Sequence, residues 1–275
     1  MAGVALKVND LKKSFGKNYV LQGIDLTLSA GSVTVLMGAN GAGKSTLVKV
    51  ICGHHRADGG NMTLDDRAFF PDDPADAIRQ GVVTVHQSID DGVIPDLDVA
   101  NNLMFDRLVE PGHGLFVRER HLRDDAAKVA AAMGIDVNLR ARVSDLSVAD
   151  RQMIAIARAM ARAPKVLILD EPTSSLSATE ADRLFALIDR LRDQGVAILY
   201  ISHRMSDIRR IADRIVVMRD GAISGLFETE ALDYEAAVTA MLGHRMTEVD
   251  VAVQQGRDPV LELDNLRLFD GASSI

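Results

Sequence analysis

The sequence predicts an α/β fold with a parallel sheet covered by helices, an N-terminal antiparallel β subdomain and an inserted helical subdomain. Four short runs are apolar throughout, which is typical of strands buried on both faces of a parallel sheet. These runs are 33–37, 82–85, 166–169 and 196–201. Helical patterns lie between them, and those at 44–52 and 178–194 are each followed by a glycine, which favours helix termination.

The remaining strands are predicted from weaker patterns. Antiparallel strands near the start are predicted at 5–8, 24–28 and 62–64, where short or alternating apolar segments occur. After the last core strand, the apolar segments 215–218 and 222–226 flank the turn sequence Arg219-Asp220-Gly221. This arrangement predicts a β-hairpin at that point.

The region between 87 and 164 has no strong strand pattern. Helix-like stretches occur there at 99–108, 119–133 and 148–162. Since they interrupt the alternation of strands and helices, they predict a helical subdomain of about 88–163 inserted into the α/β core.

Composition limits the class of protein. With 275 residues and 47% hydrophobic content, the chain can form one large or two small globular domains. A net charge of −8 argues against a duplex nucleic-acid partner. The single cysteine, Cys52, excludes an intrachain disulfide and fits a reducing compartment; its register with Val48 and Ile51 predicts a buried apolar role. No apolar run reaches the roughly 18 residues of a membrane span, so we expect a soluble chain.

A glycine-rich segment joins the first core strand to the next helix. Such a loop directs backbone N–H groups and the positive end of the helix at phosphates. The predicted nucleotide contacts are Gly38, Asn40, Gly41, Gly43, Lys44, Ser45 and Thr46. Lys44 would neutralise β/γ-phosphate charge, and the Ser45 hydroxyl would ligate Mg²⁺. The segment therefore predicts a nucleoside triphosphate site, with a simple glycine-rich turn as the alternative.

Polar residues follow three other core strands. Asp170 would hold Mg²⁺ through its water shell, and Glu171 would orient or deprotonate the attacking water; the alternative is a turn before Pro172. His203 lies at a strand's carboxyl end, where doubly wound sheets place ligand groups, which favours a γ-phosphate contact. Gln87 occupies an equivalent position and is expected to reach Mg²⁺ and the water.

A capping motif precedes the helix at 148–162. Ser147 and Asp150, three residues apart, form a start similar to a capping box. Because such a helix end also suits a phosphate, a capped terminus and a second nucleotide contact are compatible interpretations.

Taken in order, these motifs resemble those of the ATPase domain of an ABC transporter over about residues 4–246. The matching segments are Walker A at 38–46, the Q-loop at Gln87, the signature at 146–150, Walker B at 166–171, the D-loop at 174–177 and the switch histidine at His203. Phe15 falls where the family stacks an aromatic ring on adenine, with a strand-end core aromatic as the alternative. The resemblance implies a Mg²⁺-dependent ATPase in which two ABC domains close on ATP.

A closer resemblance is to tandem ATPase subunits of bacterial monosaccharide importers of the ribose, galactose and xylose type. It rests on the segments 146–149, 200–204 and 241–243. It implies sugar import through a membrane permease, with a periplasmic sugar-binding protein as an indirect partner. We accordingly expect a cytoplasmic protein, peripheral on the inner face of the cell membrane.

The signature and the D-loop depart from the family pattern. The usual Leu-Ser-Gly-Gly-Gln is replaced by a sequence ending in Val148, Ala149 and Asp150, and Ser177 stands in place of an aspartate. Family signatures act on the nucleotide of the opposing domain. We therefore expect Asp150 to weaken the grip of Ser147 on that γ-phosphate.

The C-terminal residues contain a weak internal repeat. Residues 6–12 and 261–267 match in residue character position for position. The repeat predicts an ABC ATPase domain at 1–243, a linker at 244–258 and the truncated start of a second ABC domain at 259–275. Chance similarity between two generic strands is the alternative.

Three other functions remain to be distinguished. The first is a soluble tandem ABC protein that acts on ribosomes as a translation factor. The linker expected in such proteins is longer and charged, and the linker predicted here looks too short for it. The second is a DNA-repair ATPase, which the acidic charge and the absence of sustained heptads disfavour. The third is a binding-only protein, which the presence of Lys44, Asp170, Glu171 and His203 argues against.

Overall fold

The computed structural model describes residues 3–86, 92–109, 119–228 and 232–243. The strands are β1 (Val4–Phe15), β2 (Asn18–Ser29), β3 (Val33–Gly38), β4 (Gly59–Leu64), β5 (Arg67–Ala68), β6 (Val82–Val85), β7 (Val166–Asp170), β8 (Ala197–Ile201), β9 (Arg214–Arg219) and β10 (Ala222–Glu228). The helices are α1 (Lys44–Ile51), α2 (Pro74–Gln80), α3 (Val99–Val109), α4 (Glu119–Met133), α5 (Val148–Ala161), α6 (Ala178–Asp193), α7 (Met205–Ile211) and α8 (Tyr234–Leu242).

The main sheet has the strand order β10-β9-β3-β8-β7-β6. All its pairs are parallel except the edge pair of β10 with β9. This confirms the predicted parallel sheet and the predicted hairpin. The sequence pattern predicts β9 only as one strand of that hairpin, whereas the structure also pairs it in parallel with β3, as a fifth parallel strand. Its residues 215–218 are all buried, so it has the same apolar pattern as the other core strands.

A second, antiparallel sheet has the order β2-β1-β4-β5. It confirms the N-terminal antiparallel region, although β1 and β2 have twelve residues each and extend well beyond the predicted segments. Their pairing contains several register shifts, which break the strict apolar alternation. The irregular alternation explains why the apolar pattern alone revealed only part of each strand.

Helices α3, α4 and α5 lie between β6 and β7 in the chain, as predicted for the helical insertion. Helices α2, α7 and α8 were not predicted, because seven to nine residues are too few for a clear helical period. For α2 a local signal was present: Asp73 caps the helix by accepting from Asp76 N–H, Pro74 follows at the first position, and Gly81 ends it.

The core lies on both faces of the main sheet. Within β3, Val33, Val35 and Met37 pack into one apolar cluster and Leu36 into the other. The same alternation occurs in β7, where Leu167 belongs to the first cluster. Since both faces are covered, polar side chains of this sheet can reach solvent only at its ends.

The C-terminal part of the chain is not described beyond residue 243. The chain divides into two units, Met1–His244 and Arg245–Ile275. The predicted linker at 244–258 and domain start at 259–275 lie outside the described residues and stay predictions. Within the described ranges, every helix is too short or too polar to span a membrane.

Cys52 provides a test of the packing behind α1. The thiol is buried, and its Sγ lies 2.7 Å from Thr84 Oγ1. Burial raises the pKa of Cys52 to about 11, so in the folded chain the thiol stays protonated well above neutral pH. At pH 8 only about one thiol in a thousand would be ionised. We expect iodoacetamide to label the native chain very slowly at pH 8 and the guanidinium-unfolded chain rapidly; equal rates would show that Cys52 is accessible.

Candidate functional site

The strand order of the main sheet brings three groups of predicted functional residues to one edge. Strand β8 lies between β3 and β7, and Ile201 at the end of β8 pairs with Leu36 of β3 and with Asp170 of β7. The loops that follow β3, β7 and β8 therefore leave the sheet side by side. These loops contain the glycine-rich segment, Glu171 and His203.

Two glycines of the loop after β3 are required by its geometry. A Cβ on Gly38 would lie 2.6 Å from the carbonyl oxygen of Met218, which is shorter than any real contact. Gly43 caps α1 with a φ of 102°, in the left-handed region. The loop can therefore follow this path only with glycine at both positions.

The N-terminus of α1 is open to an anion. No side chain in the described part of the structure caps it, and its first turn contains no acidic residue. In contrast, α2, α5, α6 and α8 begin with an aspartate or serine side chain bonded to a backbone N–H. An uncapped helix start leaves N–H groups without an internal partner, as a phosphate site requires.

Lys44 places its ammonium group at this loop. Its Nζ donates to the carbonyl oxygens of Gly38 at 2.7 Å and Ala39 at 3.1 Å. Burial lowers the pKa of Lys44, while the charges of Glu171 and Asp170 act in the opposite direction. The lysine is thus electrostatically coupled to both acids that follow β7.

The two acids have different surroundings. Burial raises the pKa of Asp170, and the neighbouring charge of Glu171 adds to this effect, while His86 and Lys44 oppose it. Glu171 adopts a left-handed φ of 48°, and its N–H donates to the Ile201 carbonyl oxygen at 2.9 Å. Such backbone strain persists only where the surroundings hold it.

Glu171 also meets His203 directly. Its Oε1 lies 3.0 Å from the Nδ1 of His203. The two side chains border a cavity of about 210 Å³. Its lining residues are Glu171, Thr173, Ser174, Leu176, Ser202, His203 and Arg204. A carboxylate and an imidazole in contact beside an open cavity can together orient a water and move its proton.

The remaining predicted nucleotide and metal contacts differ in where the structure places them. Asn40 and Ser45 are exposed and Thr46 is half-buried, all in or next to the loop after β3. Gln87 lies outside the described residues. Phe15 is 47% exposed, so it is not a core aromatic. Its ring makes an edge contact with His55, at 5.2 Å between centroids, and its proposed stacking on adenine stays a prediction.

Ser147 caps α5, as predicted. It accepts from the Asp150 N–H at 3.1 Å and donates its hydroxyl proton to Asp150 Oδ2 at 2.8 Å. Arg183 holds the other oxygen of Asp150 at 3.1 Å. The signature serine is therefore engaged with its own helix in this structure.

Sequence reasoning missed a buried polar group behind the cavity. Asp207 is 2% exposed and lies among Thr173, Tyr200 and Arg204. The available signal was Tyr200, because a phenol inside an otherwise apolar strand needs a hydrogen-bond partner.

The residues present fit a nucleotide with Mg²⁺. The loop after β3 offers open backbone N–H groups and the Lys44 cation, which suit phosphate oxygens. The Asp170 carboxylate and the Ser45 hydroxyl are the oxygen donors that Mg²⁺ prefers. The described residues contain no cluster of three histidine, cysteine or acidic side chains that could hold a metal ion.

This fold and this arrangement of residues define a P-loop nucleotide-binding domain. A model of the ABC transporter family matches residues 21–174. The match covers more than half of the chain, and the chain therefore belongs to the ABC transporter family.

Named relatives are sugar-import proteins. The ribose import ATP-binding protein RbsA 2 of Escherichia coli O157:H7 is 39% identical over 244 residues, which cover 89% of this chain and 47% of that protein. The galactose/methyl galactoside import ATP-binding protein MglA of Treponema pallidum (strain Nichols) is 39% identical over 88% of this chain and 48% of its own length. The chain thus spans about half the length of the curated relatives it matches.

Solved structures agree with the fold. An ATP-binding cassette of an ABC transporter in its ADP conformation matches with a TM-score of 0.75 and 25% identity, covering 88% of this chain and 99% of that one. A nucleotide-free ATP-binding cassette from an ABC transporter matches with a TM-score of 0.74.

Lys44 can be tested against a lysine of the same helix. We expect Lys44→Ala to weaken ATP binding by about 10- to 100-fold, because one charge-assisted hydrogen bond contributes about 1.5–3 kcal/mol. Lys49→Ala, an exposed position later in α1, is the matched control and should bind normally. Titration with a fluorescent ATP analogue measures both. Equal affinities for the two variants would contradict the assignment of Lys44 to the phosphates.

Proposed function

We propose that this chain binds ATP with Mg²⁺ and hydrolyses it to energise the import of a monosaccharide through a membrane permease. The observation that supports hydrolysis most directly is the 3.0 Å contact between Glu171 Oε1 and His203 Nδ1 at the edge that also holds Lys44. A binding-only domain would need the P-loop but not this acid–imidazole pair.

We assign one role to each of the predicted site residues. The backbone N–H groups of the loop and the Lys44 ammonium bind phosphate oxygens and orient the γ-phosphate. Glu171 orients the attacking water and takes up its proton, and His203 holds the Glu171 carboxylate and contacts the γ-phosphate. Mg²⁺, held by Ser45, Asp170 and Gln87, would supply neutralisation of the charge that develops on the phosphates.

The substrate class rests on the relatives. Those named above are import proteins for ribose and for galactose or methyl galactoside, and one of similar identity is an arabinose import protein. We therefore extend sugar import to this chain. The ribosomal alternative has no support among these relatives.

The proposed site is completed by a second ABC domain. The relatives are about twice as long as this chain, which supports a tandem arrangement with a second domain beyond the linker at 244–258. Phosphate held by the loop of one domain would meet the signature helix of the other, where Ser147 lies in this chain. The permease, and through it a periplasmic sugar-binding protein, are the further partners, so the chain would act on the inner face of the membrane.

Glu171 can be separated from nucleotide binding. We expect Glu171→Gln to keep ATP affinity but to lower turnover by at least ~100-fold, since the amide cannot take up the proton of the water. Asp182→Asn, an acid-to-amide change at an exposed position of α6, should leave turnover unchanged. Turnover is measured by phosphate release at saturating ATP. Undiminished phosphate release by Glu171→Gln would remove this residue from the mechanism.

The incomplete site also predicts a concentration effect. This chain alone should hydrolyse ATP slowly, and the rate per chain should rise with chain concentration, because a second domain must supply the opposite wall. Phosphate release over a wide range of chain concentrations measures this, with Glu171→Gln as the background control. Fast turnover that does not vary with concentration would mean that one domain suffices.

A further inference from the structure

We infer that Asp207 is a positioning residue for hydrolysis: it ties the loop that contains Glu171 to the loop that contains His203 and so fixes their mutual geometry. This inference rests on the proposed ATPase function. Asp207 lies on α7, four residues after His203, and its contacts reach residues of both loops.

The carboxylate of Asp207 is buried among hydroxyl donors. Its Oδ2 accepts from the Thr173 hydroxyl in a short hydrogen bond and from the Tyr200 hydroxyl at 3.2 Å. Its Oδ1 accepts from the Ser206 hydroxyl at 3.1 Å and lies 3.9 Å from Arg204 Nε. Only 2% of Asp207 is exposed, so these groups replace water around the charge.

These partners come from two separate parts of the chain. Thr173 follows Glu171 by two residues, after β7. Tyr200 is in β8, and Arg204 comes directly after His203. Arg204 also donates to the Thr173 carbonyl oxygen at 2.6 Å, so a second bond joins the same two loops. The network therefore forms a bridge directly behind the Glu171–His203 pair.

The hydrogen bonds around position 207 use both carboxylate oxygens as acceptors. Burial raises the pKa of Tyr200, which keeps its hydroxyl protonated and able to donate. Thr173 and Tyr200 then both donate to one oxygen of Asp207, with 3.4 Å between the two hydroxyl oxygens. An asparagine at this position has one acceptor oxygen. Its NH₂ group would face either the hydroxyls of Thr173 and Tyr200 or the hydroxyl of Ser206.

The Glu171–His203 contact draws on this support because the His203 side chain lies largely in solvent. The side chain of His203 is 67% exposed and that of Glu171 26% exposed. Functional groups must be held within about 0.5 Å of productive geometry, and a misplacement of about 1 Å can cost roughly 100-fold in rate. Since burial does not lock the His203 side chain, we expect the bridge to hold His203 at its distance from Glu171.

Thr173 offers the cleanest test, because valine matches threonine in shape without the hydroxyl and serine keeps the hydroxyl. We expect Thr173→Val to lower kcat by at least ~10-fold with the KM for ATP within about twofold of wild type, since only transition-state positioning is lost. Thr173→Ser should retain a kcat near wild type. Asp207→Asn should lower kcat in the same way as Thr173→Val.

Hydrogen–deuterium exchange of the nucleotide-free chain tests the positioning itself, independently of hydrolysis. In Thr173→Val we expect faster amide exchange in peptides covering 170–176 and 201–208, and unchanged exchange across the loop after β3 and across α1. Thr173→Ser should exchange like wild type in all of them. The exchange comparison needs no variant at 207, so it stands even where Asp207→Asn fails to fold.

The inference is overturned by any of three results. These are equal kcat and equal exchange in the valine and serine variants, a loss of ATP affinity that matches the loss of kcat, and faster exchange throughout the valine variant. If the wild-type chain itself released no phosphate with ATP and a partner domain, the proposed function would fail, while the exchange comparison would still decide whether this network holds the two loops.

Discussion

The whole arrangement depends on the parallel pairing of β8 with β3 on one side and β7 on the other. Parallel strands leave all their carboxyl ends at one edge, and apolar residues cover both faces of this sheet. The edge is thus where polar loops can meet without burying unpaired backbone groups. One cation, two acids and one imidazole are brought together there from parts of the chain more than 150 residues apart.

Burial and charge act against each other at that edge. Lys44 and Asp170 are both partly removed from water. This burial lowers the pKa of Lys44 and raises the pKa of Asp170, so it favours the uncharged form of each, and the attraction between their charges opposes it. Glu171 strengthens the charged state of the lysine and weakens that of the aspartate. A bound phosphate with its metal ion would add charges of both signs to this balance.

Sequence patterns revealed much of the fold for a physical reason. Strands buried on both faces are apolar at every position, and helices such as α6 are long enough to show their period, so both were located to within a residue or two. Strand β9 was placed correctly but its parallel partner was missed, because local pattern does not specify pairing. The short helices α2, α7 and α8 escaped detection for lack of length.

The candidate site shows the same division. The glycine-rich loop, Asp170, Glu171 and His203 were found because each directly follows an apolar strand, so position along the chain was enough. Asp207 and Thr173 were missed, because their importance comes from a contact across 34 residues that no local pattern encodes. Ser147 was correctly predicted as a cap, but the bond from its hydroxyl to Asp150 depends on side-chain geometry.

The start of α5 has a consequence for how this chain meets anions. Asp150 lies in the first turn of the helix, accepts a hydrogen bond from Arg183 and accepts another from the Ser147 hydroxyl. A negative charge therefore already cancels part of the helix dipole before any ligand arrives. The start of α1 has no such internal anion. The two helix ends differ in this respect: a phosphate would meet no carboxylate in the first turn of α1, whereas at α5 it would compete with a resident carboxylate.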